Sequence, residues 1–355
     1  MRAIQFDYFG QRPELREVPK PAVTPGGVVV RVETTGLCRS DVHGWLGHDG
    51  GIALPHVPGH ELVGVIESVG PEVKRFGTGE RVTVPFVCAC GTCPECLSGN
   101  AQVCRNQTQP GFTHWGSYAE LVALHDADNN LIPVPADLDS GAAALLGCRF
   151  ATAYRGMAHQ ANLKAGERLL VVGCGGVGLS AVMIGVALGA QVVAVDVNDE
   201  PLERARNLGA FQSINSRGMS PDSLVQAIKS LVPAGIDVSV DALGRAETAA
   251  AGILSLLPRG RHVQIGLFPS DPVLPMSAVI AKELTILGSH GMPAKDYSGL
   301  LSLVASKVLR PEKLIERRIT LEQVPDALMD MAGDTSPAGV TVIDIAPARR
   351  SGTAV

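Results

Sequence analysis

Excess charge of either sign is missing from this sequence. Its 355 residues carry 30 Lys and Arg against 35 Asp and Glu, a formal net charge of -5, and the charges are scattered rather than gathered into runs. With no basic patch or acidic tract, nothing points to nucleic acid or an anionic membrane as a partner. The start, MRAIQFDYFGQRPELREVPK, has no apolar run behind a basic end. No secretory leader is therefore visible, and the cysteines are expected in a reducing cytoplasm. Internal repeats and low-complexity tracts are absent too, although the last residues, APARRSGTAV, read as a loose tail. Aromatic residues make up only 4%, which leaves few candidates for the wall of a pocket.

What is present is apolar bulk, at 46%, in a chain too long for one ordinary core, so two domains are expected. Up to about Ala123 the pattern is short β-rich runs between Gly and Pro: Val28 to Glu33, Glu61 to Gly70, Glu80 to Phe86 and Ser117 to Leu124. The alternation of Val82 and Val84 with polar neighbours suits half-buried antiparallel strands of a β-barrel-like domain. From Ala151 to about Leu287 strands and helices take turns, as in LLVVG, QVVAVD, IDVSVD, HVQIG and TILGS with Glu200 to Leu208 and Ala246 to Leu257 between them. That alternation predicts an α/β fold with a parallel, doubly wound sheet. The expected division is 151–290 for this domain, with 1–150 and 291–355 forming a discontinuous first domain to which a helix at Asp296 to Lys307 and a strand at Gly339 to Ile345 return.

Half of the eight cysteines fall within CGTCPECLSGNAQVC, as Cys90, Cys93, Cys96 and Cys104. Four thiolates are the soft ligands a tetrahedral Zn2+ prefers, and a complete set leaves no place for water or substrate, so residues from about 88 to 108 read as a structural zinc lobe. Copper or iron suits the same ligands. Two disulfides would need strained partners across the adjacent two-residue gaps, and a reducing compartment opposes them.

The uncharged stretch Leu169 to Ala190 has the length of a membrane span, about 20 residues. Its glycines argue otherwise, since they follow an aliphatic run and precede a small-residue helix. Gly173, Gly175 and Gly178 occupy G-x-G-x-x-G, with Gly176 and Val177 between them. The first permits a tight turn, the second lets backbone N–H groups approach a pyrophosphate, and the third lets helix and strand pack. Asp196 ends the next aliphatic run, where a carboxylate can accept from both ribose hydroxyls of NAD and repel a 2′-phosphate. Arg204 or Arg206 could offset that repulsion, but Val197, Asn198 and Asp199 follow directly, so NAD is favoured over NADP.

The remaining cysteines are Cys38, Cys88, Cys148 and Cys174. Singly, Cys38 and Cys148 read as small buried hydrophobes and His60 as a satisfied loop histidine. In order, however, GLCRSDVH, PGHELVGVIESVG, the four-cysteine lobe, GCRFATAY and VVGCGGVG resemble the medium-chain zinc-dependent alcohol dehydrogenases over almost the whole chain. The resemblance implies a GroES-like catalytic domain beside a Rossmann domain, and a catalytic zinc held by Cys38, His60 and Cys148, making two zinc ions with the structural one. Glu61 is then the nearby carboxylate that can approach the metal. Asp41 is the acceptor for the His60 imidazole N–H, fixing its tautomer and basicity. Ser40 and His43 pass the alcohol proton outward by way of the cofactor ribose. Arg39 lies toward the cofactor pyrophosphate, where a guanidinium offsets phosphate charge. Phe86 matches a pocket-lining position, and Trp45 and Trp115 are the other aromatic candidates. Cys88 and Cys174 read as packing thiols.

The expected activity is NAD-dependent oxidation of an apolar alcohol to an aldehyde or ketone, reversibly, by a homodimer or homotetramer. Two alternatives stand beside it: a zinc-free quinone or enone reductase, whose relatives do without these ligands, and a non-catalytic NAD- or zinc-binding protein on the same scaffold.

Overall fold

The computed structural model describes residues 1–333 and 339–345, and the loose tail read at the end of the sequence lies outside them. The chain forms two compact units. One comprises Met1–Cys148, Gly291–Ser298 and Pro311–Val355, and the other Arg149–His290 and Gly299–Arg310.

The first unit is built on a seven-stranded mixed sheet. Val28–Gly36 is its spine, pairing antiparallel with Leu62–Val69, Leu121–Leu124 and the late strand Val340–Asp344. Leu62–Val69 pairs onward to Arg81–Thr83, and Val340–Asp344 pairs in parallel with Ile315–Thr320. Val28, Val30 and Val32 alternate inward onto a core with Ile4, Leu62, Ile66, Val82, Tyr118 and Leu328. Branched aliphatic side chains at period two favour this half-buried arrangement.

The second unit is a six-stranded sheet, parallel throughout. Numbered in chain order, Arg168–Val172, Gln191–Asp196, Gln212–Asn215, Ile236–Asp241, Leu256–Gln264 and Thr285–Gly288 lie in the order 3-2-1-4-5-6, the doubly wound Rossmann topology. The order reverses between the first and fourth strands, so the turn after Val172 opens at the switch point. Leu169 to Ala190 resolves into Arg168–Val172 and the helix Gly176–Ala187, and no helix among the described residues is long and apolar enough to cross a membrane.

The first unit gives way after Cys148 rather than after residue 150, and a further change of unit falls within a helix. The helix Tyr297–Ala305 begins in the first unit, where the Tyr297 hydroxyl donates to Leu146 O at 3.2 Å. From Gly299 to Arg310 the chain belongs to the second unit. Gly299 permits this because a Cβ there would fall 2.3 Å from the Tyr154 hydroxyl oxygen. A residue without a side chain lets the helix settle against that ring.

Candidate functional site

The four-cysteine lobe brings one sulfur each from Cys90, Cys93, Cys96 and Cys104 within 4.8 Å of one another. Cys93 Sγ lies 3.4 Å from Cys96 Sγ and 3.6 Å from Cys104 Sγ, and Cys104 Sγ lies 3.5 Å from Cys90 Sγ. Zinc–sulfur bonds of about 2.3 Å set a tetrahedral edge of about 3.8 Å, close to these separations, whereas a disulfide needs about 2.05 Å. The Cys90 and Asn106 backbone N–H groups donate to Cys104 Sγ at 3.4 and 3.3 Å. A hydrogen bond from Thr92 draws Cys90 down to about 5, while burial pushes Cys96 up to about 12. A cation is what lets all four ionise together.

A second cluster gathers Cys38, His60, Glu61 and Cys148, all buried, with one ligand atom from each within 4.8 Å of the others. Val28–Gly36 runs into Cys38, which takes extended geometry and caps the helix Arg39–Trp45, while His60 and Glu61 immediately precede the strand Leu62–Val69. Asp41, 2% exposed, ties these pieces together. Its Oδ1 accepts from His60 Nδ1 at 3.0 Å and from the Gly59 N–H at 3.1 Å, and its Oδ2 from the Tyr118 hydroxyl at 2.7 Å and the Cys38 N–H at 3.0 Å. The carboxylate therefore fixes the imidazole hydrogen on Nδ1 and leaves a lone pair on Nε2. His60 Nε2 is buried without a hydrogen-bond partner. A buried acceptor left bare is costly, and a metal ion among the two sulfurs satisfies it. Burial opposes charge on His60, but Asp41 and then Cys38 more than offset this, so that without a metal a proton takes the place of the metal on Nε2 well above the ordinary histidine range. Metal and proton thus compete for the same nitrogen. Two cysteines and a histidine beside a buried carboxylate fit a zinc site with an open position.

Around this cluster the expected residues fall differently. Cys38 Sγ lies 3.7 Å from Ser40 Oγ, but no hydrogen bond joins Ser40 to His43. His43 Nδ1 instead meets His48 Nδ1 at 3.2 Å. His48 was not among the residues read from the sequence, and its only signal there is a second histidine just past a short helix. Arg39 is exposed on the first turn of that helix. Phe86 stands edge-on to His60 with ring centroids 6.2 Å apart, and Phe112, not anticipated, is closer at 5.2 Å. Trp45 is a core residue whose Nε1 donates to Gln11 O, and Trp115 donates to Pro55 O while packing on the same core. Neither indole is held against the ligand cluster by any of these contacts.

In the second unit the three glycines behave as their spacing requires. Gly173, at φ +92, makes the turn, and a Cβ at Gly178 would fall 1.7 Å from the Gly173 carbonyl oxygen. A Cβ at Gly175 would meet nothing within 4 Å, so this position opens outward at the start of the helix Gly176–Ala187. Asp196 accepts from the Cys174 N–H at 2.8 Å and the Asn198 N–H at 3.0 Å, which brings its carboxylate onto the glycine turn. Cys174 itself is buried, its thiol pushed up by burial. Val197, directly after Asp196, and Leu243, beside Gly173, are 48% and 46% exposed, and the sequence did not single either out. The Arg149 guanidinium lies by Gly176, and Arg217 donates to Val197 O and Asn198 Oδ1.

Residues 24–136 match the alcohol dehydrogenase GroES-like domain family and residues 176–306 the zinc-binding dehydrogenase family. An alcohol dehydrogenase of Geobacillus stearothermophilus is 35% identical over 308 residues, covering 86% of this chain and 89% of the relative. An NAD-dependent alcohol dehydrogenase of Sulfurisphaera tokodaii is 30% identical over 338 residues, covering 92% and 95%. The solved structure of an alcohol dehydrogenase from Thermus sp. ATN1 superposes with a TM-score of 0.88 at 30% identity, covering 98% of this chain and all (100%) of that one. At these identities and coverages the chain belongs to the zinc-dependent medium-chain alcohol dehydrogenases.

Proposed function

We infer that this protein is a zinc-dependent alcohol dehydrogenase, interconverting an alcohol with its aldehyde or ketone and using NAD. The observation that carries the reading is the bare, buried Nε2 of His60 among the sulfurs of Cys38 and Cys148, oriented by Asp41. Cys38, His60 and Cys148 would hold the catalytic zinc, with Glu61 as the neighbouring carboxylate, and Cys90, Cys93, Cys96 and Cys104 would hold the structural one. Zinc, when bound, supplies the Lewis acidity that makes an alcohol hydroxyl acidic near neutral pH. NAD, when bound, accepts the hydride. Phe86 and Phe112 keep water from the imidazole, and the Ser40 hydroxyl takes the substrate proton toward His43. Asp196 accepts from the cofactor ribose, Gly175 leaves room for its pyrophosphate, and Val197 and Leu243 offer apolar faces to its adenine. Reductases that dispense with the ligands are not favoured, because the complete donor set is present.

The substrate class is an apolar alcohol, since aromatic rings stand over the ligand cluster. Two copies pair along the edge strand Thr285–Gly288, whose Ile286 is 38% exposed. A reducing cytoplasm suits eight cysteines that form no disulfide. A panel of alcohols run with NAD and with NADP in parallel tests the reading. Reduction of NAD by apolar alcohols is expected, and a zinc-loaded protein that binds NADH but turns over none of them overturns it.

A further inference from the structure

His43 and His48 form a contact that the route from Ser40 to His43 does not use. His43 stands in the helix that Cys38 caps. Gly47, at φ +79, reverses the chain after that helix, a conformation that suits glycine, and the His48 N–H returns to His43 O at 3.0 Å. The ring centroids are then 5.5 Å apart at 39°, with Nδ1 facing Nδ1 at 3.2 Å. Such a contact is stable only when one Nδ1 carries hydrogen and the other does not, because two lone pairs repel and two N–H groups collide. One proton is shared across the gap, and each Nε2 is left for another partner. Among the described residues neither ring has a carboxylate partner, and Asp41 on the same helix is turned onto His60.

We propose that His48 is the second station of the proton route, relaying to water the proton that His43 receives. Oxidation of the alcohol gives a hydride to NAD and releases one proton. Arriving at Nε2 of His43, that proton makes an imidazolium, and its Nδ1 hydrogen crosses to Nδ1 of His48. His48 then gives its Nε2 hydrogen to water, and exchange with solvent at the two exposed rings restores the starting tautomers. The groups acting on His43 are arranged for onward transfer: burial, then His48 and Arg39, lower its hold on a proton, and only Cys38 opposes them.

The inference rests on the reading of Ser40 and His43 as the proton route, so the test includes His43→Ala. Steady-state alcohol oxidation by the zinc-loaded enzyme with NAD is followed in weak buffer, with and without added imidazole, across roughly pH 6 to 9. His48→Ala is expected to slow turnover about tenfold in weak buffer, with recovery on adding imidazole. Its acid limb should also move to higher pH, because His43 loses a repelling neighbour. His48→Gln keeps an acceptor for the His43 N–H but cannot carry a proton, so it should restore KM and not the rate. Parent-like rates from His48→Gln, or an unchanged profile from His48→Ala while His43→Ala is slow, overturn the role of His48. Fast turnover by His43→Ala shows instead that the Ser40–His43 route is wrong.

Discussion

Asp41→Asn isolates the part of the zinc centre that is not a ligand. Each carboxylate oxygen accepts two hydrogen bonds, so an amide nitrogen at either position faces two donors. Turned toward His60 and Gly59, it would confront two N–H groups that have nowhere else to go, costing about 3–6 kcal/mol at roughly 1.5–3 kcal/mol for each bond to a charged group. Turned the other way, it meets the Tyr118 hydroxyl, which can rotate to Gly36 O, already 3.3 Å away, and the Cys38 N–H alone loses its bond to residue 41. That arrangement costs about 1.5–3 kcal/mol and keeps an acceptor on His60 Nδ1. Asparagine should therefore adopt it, and the protein should fold with a lowered Tm. The neutral amide holds the His60 hydrogen less firmly, so zinc affinity at that centre should fall roughly 10- to 100-fold. Competition against a chelating dye, with total zinc per chain and thermal unfolding on the same samples, reads all of this. Full retention of the catalytic zinc together with parent stability would refute the assignment of Asp41.

Cys93→Ser should lower zinc from about two ions to about one and reduce thermal stability first, with activity falling only as the lobe opens; metal analysis beside a melting curve separates these. Asp196→Ala removes one charge-assisted acceptor and one repulsive charge, so KM for NAD should rise about tenfold, roughly 1.4 kcal/mol, while KM for NADP rises less or falls. Unchanged discrimination would remove Asp196 from the cofactor site. Burial, with His125 opposite, pulls His114 down to about 4 from its ordinary 6.5. The unfolded chain then takes up a proton that the folded chain refuses, so stability should fall as pH drops from about 6.5 to about 4, by roughly 3 kcal/mol at most. Urea unfolding of His114→Gln should show that part of the slope removed.

The parts that were legible in the sequence share a property: each is a local pattern. The glycine fingerprint, the four-cysteine run and the alternating valines of Val28–Gly36 are set by neighbours a few residues away. The strand bounds came out short where polar residues or turns take over, as in Arg81–Thr83 within the expected Glu80 to Phe86. What escaped depends on chain reversal and long-range packing. His48 reaches His43 through the backbone of one glycine, Phe112 reaches His60 from a distant loop, and the single change of unit within the helix Tyr297–Ala305 turns on Gly299 meeting Tyr154. The settings of Trp45 and Trp115 are equally illegible, because their indole partners, Gln11 and Pro55, offer backbone carbonyls that no side-chain pattern announces.

The late strand Val340–Asp344 has a consequence for how the active enzyme comes into being. It pairs with Thr34, Thr35 and Gly36, and Thr341 O accepts from the Leu37 N–H at 3.0 Å, immediately before Cys38. The thiolate lobe is complete as soon as Cys104 has been made, so it can take its metal early in synthesis. The segment that presents Cys38 must wait for almost the last described residues, a closure of very high sequence separation and correspondingly slow. Loss of that strand would loosen a zinc ligand some three hundred residues upstream while leaving every ligand in the sequence intact.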